Sequence, residues 1–377
     1  MGSYINIGNA GFQRARNSEY VDKSGLIAVV NKTLFTEQRF TCVSRCRRFG
    51  KSMAAKMLCA YYDQSCDSRS LFADLQIAQD PSFEQHLNKY PVIYLDMTNF
   101  VSEKETGIAD KIDAALLADI SRVYPDIPVE AKERLASYLL RVSEAKQEQF
   151  IFIIEWDAIC REYEPGTNEM DLYVDWLRRI FKSGDAVRTF AAVYMTGILP
   201  IKKYKTQSAL NNFLEYSMVE PRRMAQYFGF TKSEVQALTI KHGLDFDEFE
   251  KWYDGYQIGD ELSMFNPKSV IQAIDSGRCR SFCASTGSFD TVADYIQMNY
   301  EGLKDDIISM LAGGRRLRQF SKILLQPGEK RTVSFQLPAS DLAFVGYDGR
   351  WTLEEGDFIL CVDTLTQKIH CDQTYTW

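Results

Sequence analysis

The sequence predicts an α/β protein: a parallel sheet with a phosphate-binding loop, then a helical lid region, then a small all-β tail. Three observations predict this. Short apolar runs alternate with helical stretches up to about residue 195, as a sheet covered by helices requires. A Gly-Lys-Ser tripeptide, Gly50 to Ser52, lies between one such run and a helix-like stretch. Beyond Gly313-Gly314 the pattern changes to polar–apolar alternation with Pro- and Gly-containing turns.

The first strand is Phe40-Thr41-Cys42-Val43, and the helix that follows the loop includes Ala54 to Tyr62. Between them runs Arg45-Cys46-Arg47-Arg48-Phe49-Gly50-Lys51-Ser52-Met53. Gly50 lets the backbone approach a phosphate, and the helix N-terminus presents free N–H groups to negative charge. Lys51 can reach terminal phosphates, and the Ser52 hydroxyl can hold a magnesium ion. The expected nucleotide contacts are therefore Arg47, Arg48, Phe49, Gly50, Lys51, Ser52 and Met53. The full pattern wants a second glycine five residues before Gly50, and Arg45 stands there instead.

Pro91 to Asp96 is a second apolar strand, ending in an acid. Ala109 to Ser121 and Val129 to Ser143 read as helices, separated by Pro125 and Pro128. Gln149 to Ile154 is an apolar, β-branched and aromatic run, hence a buried strand. Asp171 to Phe181 is an amphipathic helix that leads to the strand Phe190 to Met195. Thr196 follows, where a polar side chain could sense a terminal phosphate, and Lys202, Lys203 and Lys205 come after it. Ligands of open α/β sheets sit at the carboxyl ends of the strands. The ends at Val43, Ile154 and Met195 should therefore meet around one nucleotide. From about Asn211 helices with aromatic clusters follow: Met224 to Phe230, Phe246 to Tyr256 and Phe289 to Met310. Trp252, Tyr253 and Tyr256 there suit core packing, or stacking on a base or a peptide.

The motif order resembles the AAA-ATPase-like family of bacterial proteins. The likeness is carried by Tyr20-Val21-Asp22-Lys23-Ser24, Arg45 to Ser52, Phe152 to Asp157 and Tyr194 to Ile198, then Leu210 to Phe213 and Tyr227 to Thr231. It continues through Trp252 to Tyr256 and Asn266 to Val270, so it covers about the first 313 residues. The resemblance implies a P-loop NTPase-type fold that binds ATP with magnesium. It divides the chain into a P-loop domain over 1–208, a helical lid region over 209–313 and the tail over 314–377. Many members carry a nuclease-like domain at the C-terminus, where this chain has its β tail.

That family's pattern reads apolar strand, Asp, Glu, aromatic, Asp. Here the strand runs directly into Glu155, Trp156 and Asp157, one acid fewer. In P-loop ATPases one acid organises magnesium, and a second orients the attacking water. Glu155 and Asp157 are the candidate catalytic residues, and Ser52 and Glu155 the candidate metal ligands. If Glu155 takes the metal-side place, Trp156 occupies that of the base. If Glu155 remains the base, magnesium loses a ligand or the strand shifts register.

In the tail, Gln326 to Glu329 is a turn, and Thr332 to Leu337 alternates as a half-buried strand. Tyr347-Asp348-Gly349-Arg350 is a hairpin signal, and Glu354 to Asp357 leads into the strand Phe358 to Val362. Leu317 to Phe320, Leu325 to Glu329, Val333 to Phe335, Asp341 to Phe344 and Trp351 to Phe358 resemble the fibronectin type III-like domain of family 3 glycoside hydrolases. The first strands of that domain and the glycosidase barrel with its nucleophile do not appear. No carbohydrate substrate is expected. The tail's apolar face, with Val333, Phe335 and Leu337, should dock on the body of the chain or on a second copy.

Composition excludes several classes. Of 377 residues, 45% are hydrophobic and 25% charged, ordinary for a globular protein. No apolar stretch reaches the roughly 18 residues of a membrane span, and Met1 to Asn6 shows no secretory pattern. A net charge of −7 argues against a general nucleic-acid binder, and Arg315, Arg316 and Arg318 are too few to reverse that. Nine cysteines, an odd number, suggest free thiols in a reducing, cytoplasmic setting. Cys279 and Cys283 have no matching pair, and with three histidines neither a zinc site nor Ser/His or Cys/His catalysis gains support. The expected partners are a nucleotide and, through the tail, another protein or a second copy. Two function classes remain: an ATP-dependent enzyme or switch, and a scaffold with a degenerate nucleotide site.

Overall fold

The computed structural model describes residues 2–280 and 329–376, apart from 102–105, 164–166, 199–209, 219, 259–261, 343, 346–350 and 363–364. The chain divides into two compact units, Met1–Val292 and Ala293–Trp377.

The first unit is built on a five-stranded sheet. Its strands are β1 (Phe40–Ser44), β2 (Val92–Asp96), β3 (Phe150–Glu155), β4 (Phe190–Gly197) and β5 (Leu214–Tyr216). They lie in the order β2-β3-β4-β1-β5, and every neighbouring pair is parallel. Parallel strands covered on both faces read as continuous apolar runs, and β1, β3 and β4 are buried almost throughout. One face packs against α1 (Ala10–Arg16), α2 (Gly25–Asn31) and α3 (Lys51–Tyr62), joining Phe12, Ile27 and Leu58 to Val43, Ile153 and Tyr194.

The four strand ends align in register. Val43 of β1 pairs with Thr196 of β4, Thr196 with Glu155 of β3, and Glu155 with Asp96 of β2. Paired residues of parallel strands share a face, so these four side chains form one row beside α3. The ends of β1, β3 and β4 expected to meet thus lie side by side.

Helices α4 (Ile108–Val123), α5 (Leu135–Lys146) and α6 (Asn168–Phe181) complete the body. The helix expected from Val129 starts only at Leu135. Lys132 has a positive φ of 63°, and the Glu133 carboxylate accepts the Glu130 N–H and an Arg141 hydrogen bond, which holds a turn in place of the first helical turn. On α6, Phe181 packs edge-on against Phe152, with centroids 5.1 Å apart. The Trp176 indole donates to Asp113 on α4. Burial raises the Asp113 carboxyl above its ordinary range.

The helical region comprises α7 (Lys232–His242), α8 (Phe246–Tyr253) and α9 (Pro267–Ser276). A capping box starts α7: Thr231 accepts from the Glu234 N–H and Glu234 accepts from the Thr231 N–H. Interleaved with the helices is a three-stranded sheet that the sequence reading did not foresee: β6 (Phe230–Thr231), β7 (Asp254–Ile258) and β8 (Leu262–Phe265) in the order β6-β8-β7. Tyr253 joins the core of this region while Trp252 is 50% exposed. The expected helix over 289–310, Lys202 to Lys205, Cys283 and the 315–318 arginines lie outside the described residues.

In the second unit, β9 (Phe344–Val345) and β10 (Trp351–Leu353) pair antiparallel, and β13 (Tyr375–Thr376) adds to β10, while the expected hairpin residues 347–350 lie outside the described residues. A second antiparallel pair joins β11 (Gly356–Val362) and β12 (Leu365–Cys371). The strand expected over Thr332 to Leu337 is not formed, and Val333 and Phe335 are 39% and 46% exposed. Alternation fixes which face a strand would bury, but a strand also needs a neighbour to bond, and the described strands here pair with one another. The apolar face expected from this run is therefore not built.

Candidate functional site

The loop between β1 and α3 turns on Gly50, which caps the helix with φ +88°. No atom lies within 4 Å of where its Cβ would stand, so the left-handed backbone and not crowding requires the glycine. The ammonium of Lys51 curls back over the loop and donates to the carbonyls of Arg45 and Cys46, at 2.9 and 2.8 Å. The Ser52 hydroxyl donates to Glu155 Oε2 at 2.6 Å, and the Tyr94 hydroxyl donates to Glu155 Oε1 at 2.7 Å. The loop and the end of β3 are therefore joined directly.

Arg45, at the position of the absent glycine, is fully buried. Its Nη1 donates to the carbonyls of Ser44, Tyr216 and Ser217, each at 2.8 Å, tying β1 to the end of β5. Its guanidinium stands 5.3 Å over the Phe228 ring. One residue on, the Gly229 N–H donates to the Phe49 carbonyl at 3.1 Å. Gly229 has φ +90°, and a Cβ there would stand 3.0 Å from the buried Phe49 ring. Gly229→Ala should then strain the backbone and press on the loop. We expect a loss of about 1–3 kcal/mol in a denaturant melt, with nucleotide affinity falling in step.

Two cavities meet at Arg48, Lys51 and Ser52. One, of about 480 Å³, lies between the N-terminal segment, α3 and α9, with Tyr20, Val21, Met57, Phe230 and Ile271 in its wall. It also takes in Phe49, Gly50 and Met53. Its wall is held by Lys23, whose ammonium ion-pairs with Glu234 of α7 at 2.6 Å. The other, of about 340 Å³, is bordered by Arg47, Thr98, Glu155, Asp157 and Thr196. The structure thus gathers every predicted loop residue around one or other cavity.

The acids divide by environment. Glu155 faces Ser52, whereas the buried Asp157 accepts the Ile198 N–H and so pins the chain after β4. Asp96, beside Glu155 in register, caps the turn after β2 by accepting from the N–H and hydroxyl of Thr98. The Thr196 hydroxyl is turned to the Val43 carbonyl at 3.0 Å. Trp156 is fully buried, its carbonyl accepting from Tyr173. Glu155 thus lies directly beside Ser52, the other candidate metal ligand. Burial raises the Cys42 thiol well above its ordinary range, which keeps it protonated and inert. Among the described residues no group of three or more His, Cys, Asp or Glu could hold a metal. Among them, too, no helix is long and apolar enough to cross a membrane.

Sequence reasoning passed over Tyr94, Thr98, Met57 and Ile271. Only Tyr94 left a signal, a hydroxyl two residues before the acid that closes its strand.

The model of the predicted AAA-ATPase family matches residues 6–206, more than half of the chain. The chain belongs to the predicted AAA-ATPase family. A fibronectin type III-like domain model matches residues 312–365, in agreement with the expected tail. An uncharacterized protein in the vnfD 5′ region of Azotobacter chroococcum mcd 1 is 25% identical over 309 residues, covering 77% of this chain and 55% of that protein. This family member thus spans about half the length of that relative. Lysosomal beta glucosidase of Dictyostelium discoideum is 29% identical over 126 residues, 28% of this chain and 15% of that protein. A solved structure of the Aeropyrum Pernix ORC2 protein, in ADPNP-ADP complexes, aligns with a TM-score of 0.35 and 10% identity over 77% of this chain and 72% of that one.

Proposed function

We propose that this protein binds ATP and magnesium at the loop Arg45 to Met53 and turns ATP over slowly, as a hydrolase or a nucleotide-driven switch. The observation that carries the reading is the 2.6 Å contact between Ser52 and Glu155, at the junction of an apolar and a polar cavity. A nucleotide has the same two-part character. Its base and sugar suit the wall of Tyr20, Val21 and Ile271, and its phosphates suit the helix N-terminus, Lys51 and the arginines. Two oxygen donors beside a phosphate site fit magnesium, which binds through few protein ligands plus phosphate oxygens and water. Ser52 and Glu155 would hold it, and when bound it would neutralise charge on the phosphates.

The same geometry supports a low rate. With Glu155 on the metal side, β3 brings no second acid: Trp156 is buried in the position of the base. Asp157, which borders the polar cavity, is committed to the Ile198 N–H. We therefore expect turnover below about 1 per second, the low end of ordinary enzymes. A calorimetric titration with ATP and magnesium, followed by phosphate release from the same preparation, tests both parts. Binding without measurable release favours the second reading, a nucleotide-site scaffold. Release well above that rate overturns the account of Glu155, and no binding overturns the site.

A further inference from the structure

We propose that Tyr94 is a positioning residue that holds Glu155 in the metal-side orientation, an inference that rests on the proposed nucleotide site. Each carboxylate oxygen of Glu155 is engaged by a different hydroxyl: Oε2 by Ser52 and Oε1 by Tyr94, at 2.6 and 2.7 Å. The two donors come from different elements, Ser52 from the first turn of α3 and Tyr94 from the neighbouring strand β2. Tyr94 pairs in register with Ile153, so its ring lies alongside β3 one pleat below the acid and its hydroxyl reaches up to it. The tyrosine is half-buried and packs against the core beneath the sheet's end, which limits the swing of its hydroxyl.

This arrangement has a direct consequence for a metal. A Ser52 hydroxyl that donates its hydrogen bond to Glu155 keeps its lone pairs free for a cation, and Tyr94 fixes the carboxylate that accepts that bond. Partners that orient a ligand in this way typically govern about 10–100-fold in metal affinity. The Tyr94 bond takes one of the two lone pairs of the Glu155 oxygen farther from Ser52 and so holds the carboxylate in one orientation, with Oε2 toward Ser52. Tyr94 therefore orients the single acid of β3 toward the place a metal would take beside Ser52.

The test uses the full chain and a non-hydrolysable ATP analogue, titrated by calorimetry in EDTA and then over a series of magnesium concentrations up to saturation. Tyr94→Phe removes only the hydroxyl. It should leave affinity in EDTA within about 2-fold, while the midpoint for magnesium rises about 10-fold. In a Glu155→Gln background the same Tyr94→Phe change should have no further effect, because the oxygen it orients no longer carries the charge. A hydroxyl with a merely structural role would instead lower the melting temperature and weaken binding equally with and without magnesium, in both backgrounds. That outcome overturns the proposal. So does a wild type that binds the analogue with no magnesium dependence, although the loop assignment then survives. Absence of any analogue binding takes down both.

Discussion

Lys51→Ala is expected to remove most of the affinity for ATP. The ammonium is poised over the loop on two carbonyls, those of Arg45 and Cys46, and a bound phosphate would compete for the same three N–H donors. Hydrogen bonds from a charged group contribute about 1.5–3 kcal/mol each. Losing the charge at a phosphate site should then weaken binding by roughly 100-fold. Both carbonyls belong to the loop, so water can replace the lysine there, and the melting temperature should stay close to that of the wild type. Calorimetry on the two proteins, with a thermal melt as control, decides the matter. Equal affinity would mean that the nucleotide, if bound, sits elsewhere.

Legibility in the sequence followed burial and locality. The strands β1, β3 and β4 are covered on both faces, so their composition alone marks them. The loop was legible because strand, Gly-Lys-Ser and helix are contiguous. The Tyr94–Glu155 bond was not, since it depends on the register between β2 and β3, across 61 residues. Likewise the apolar cavity gathers Tyr20, Met57, Phe230 and Ile271, whose separate neighbourhoods gave no common signal. Thr332 to Leu337 failed in the opposite direction: a clean alternating pattern with no strand beside it, among the described residues, to complete a ladder. The late start of α5 turned on one side chain, Glu133, bonding to a neighbouring backbone N–H.

Arg45 shows how a sequence pattern can mislead about repair. Set against the ideal phosphate loop, it is a missing glycine, and Arg45→Gly would appear to restore function. The structure predicts damage. The guanidinium is fully buried, bonds three carbonyls at the ends of β1 and β5, and stacks over Phe228. Removing it leaves the Tyr216 and Ser217 carbonyls short of a donor, at about 1–3 kcal/mol for each buried group left unsatisfied. It also opens a side-chain-sized void, and large-to-small changes in a core cost about 2–5 kcal/mol. Partial collapse and entering water offset some of this, so a net loss of about 3 kcal/mol is expected, with a melting temperature lower by roughly 5–10 °C. ATP affinity should fall as well, because the first residue of the loop loses its anchor to β5. Arg45→Lys keeps the charge without the planar fork and should lie between the two. A melt of Arg45→Gly that matches wild type, together with equal or tighter ATP binding, would show that the arginine is a replaceable occupant of the loop and would overturn this reading.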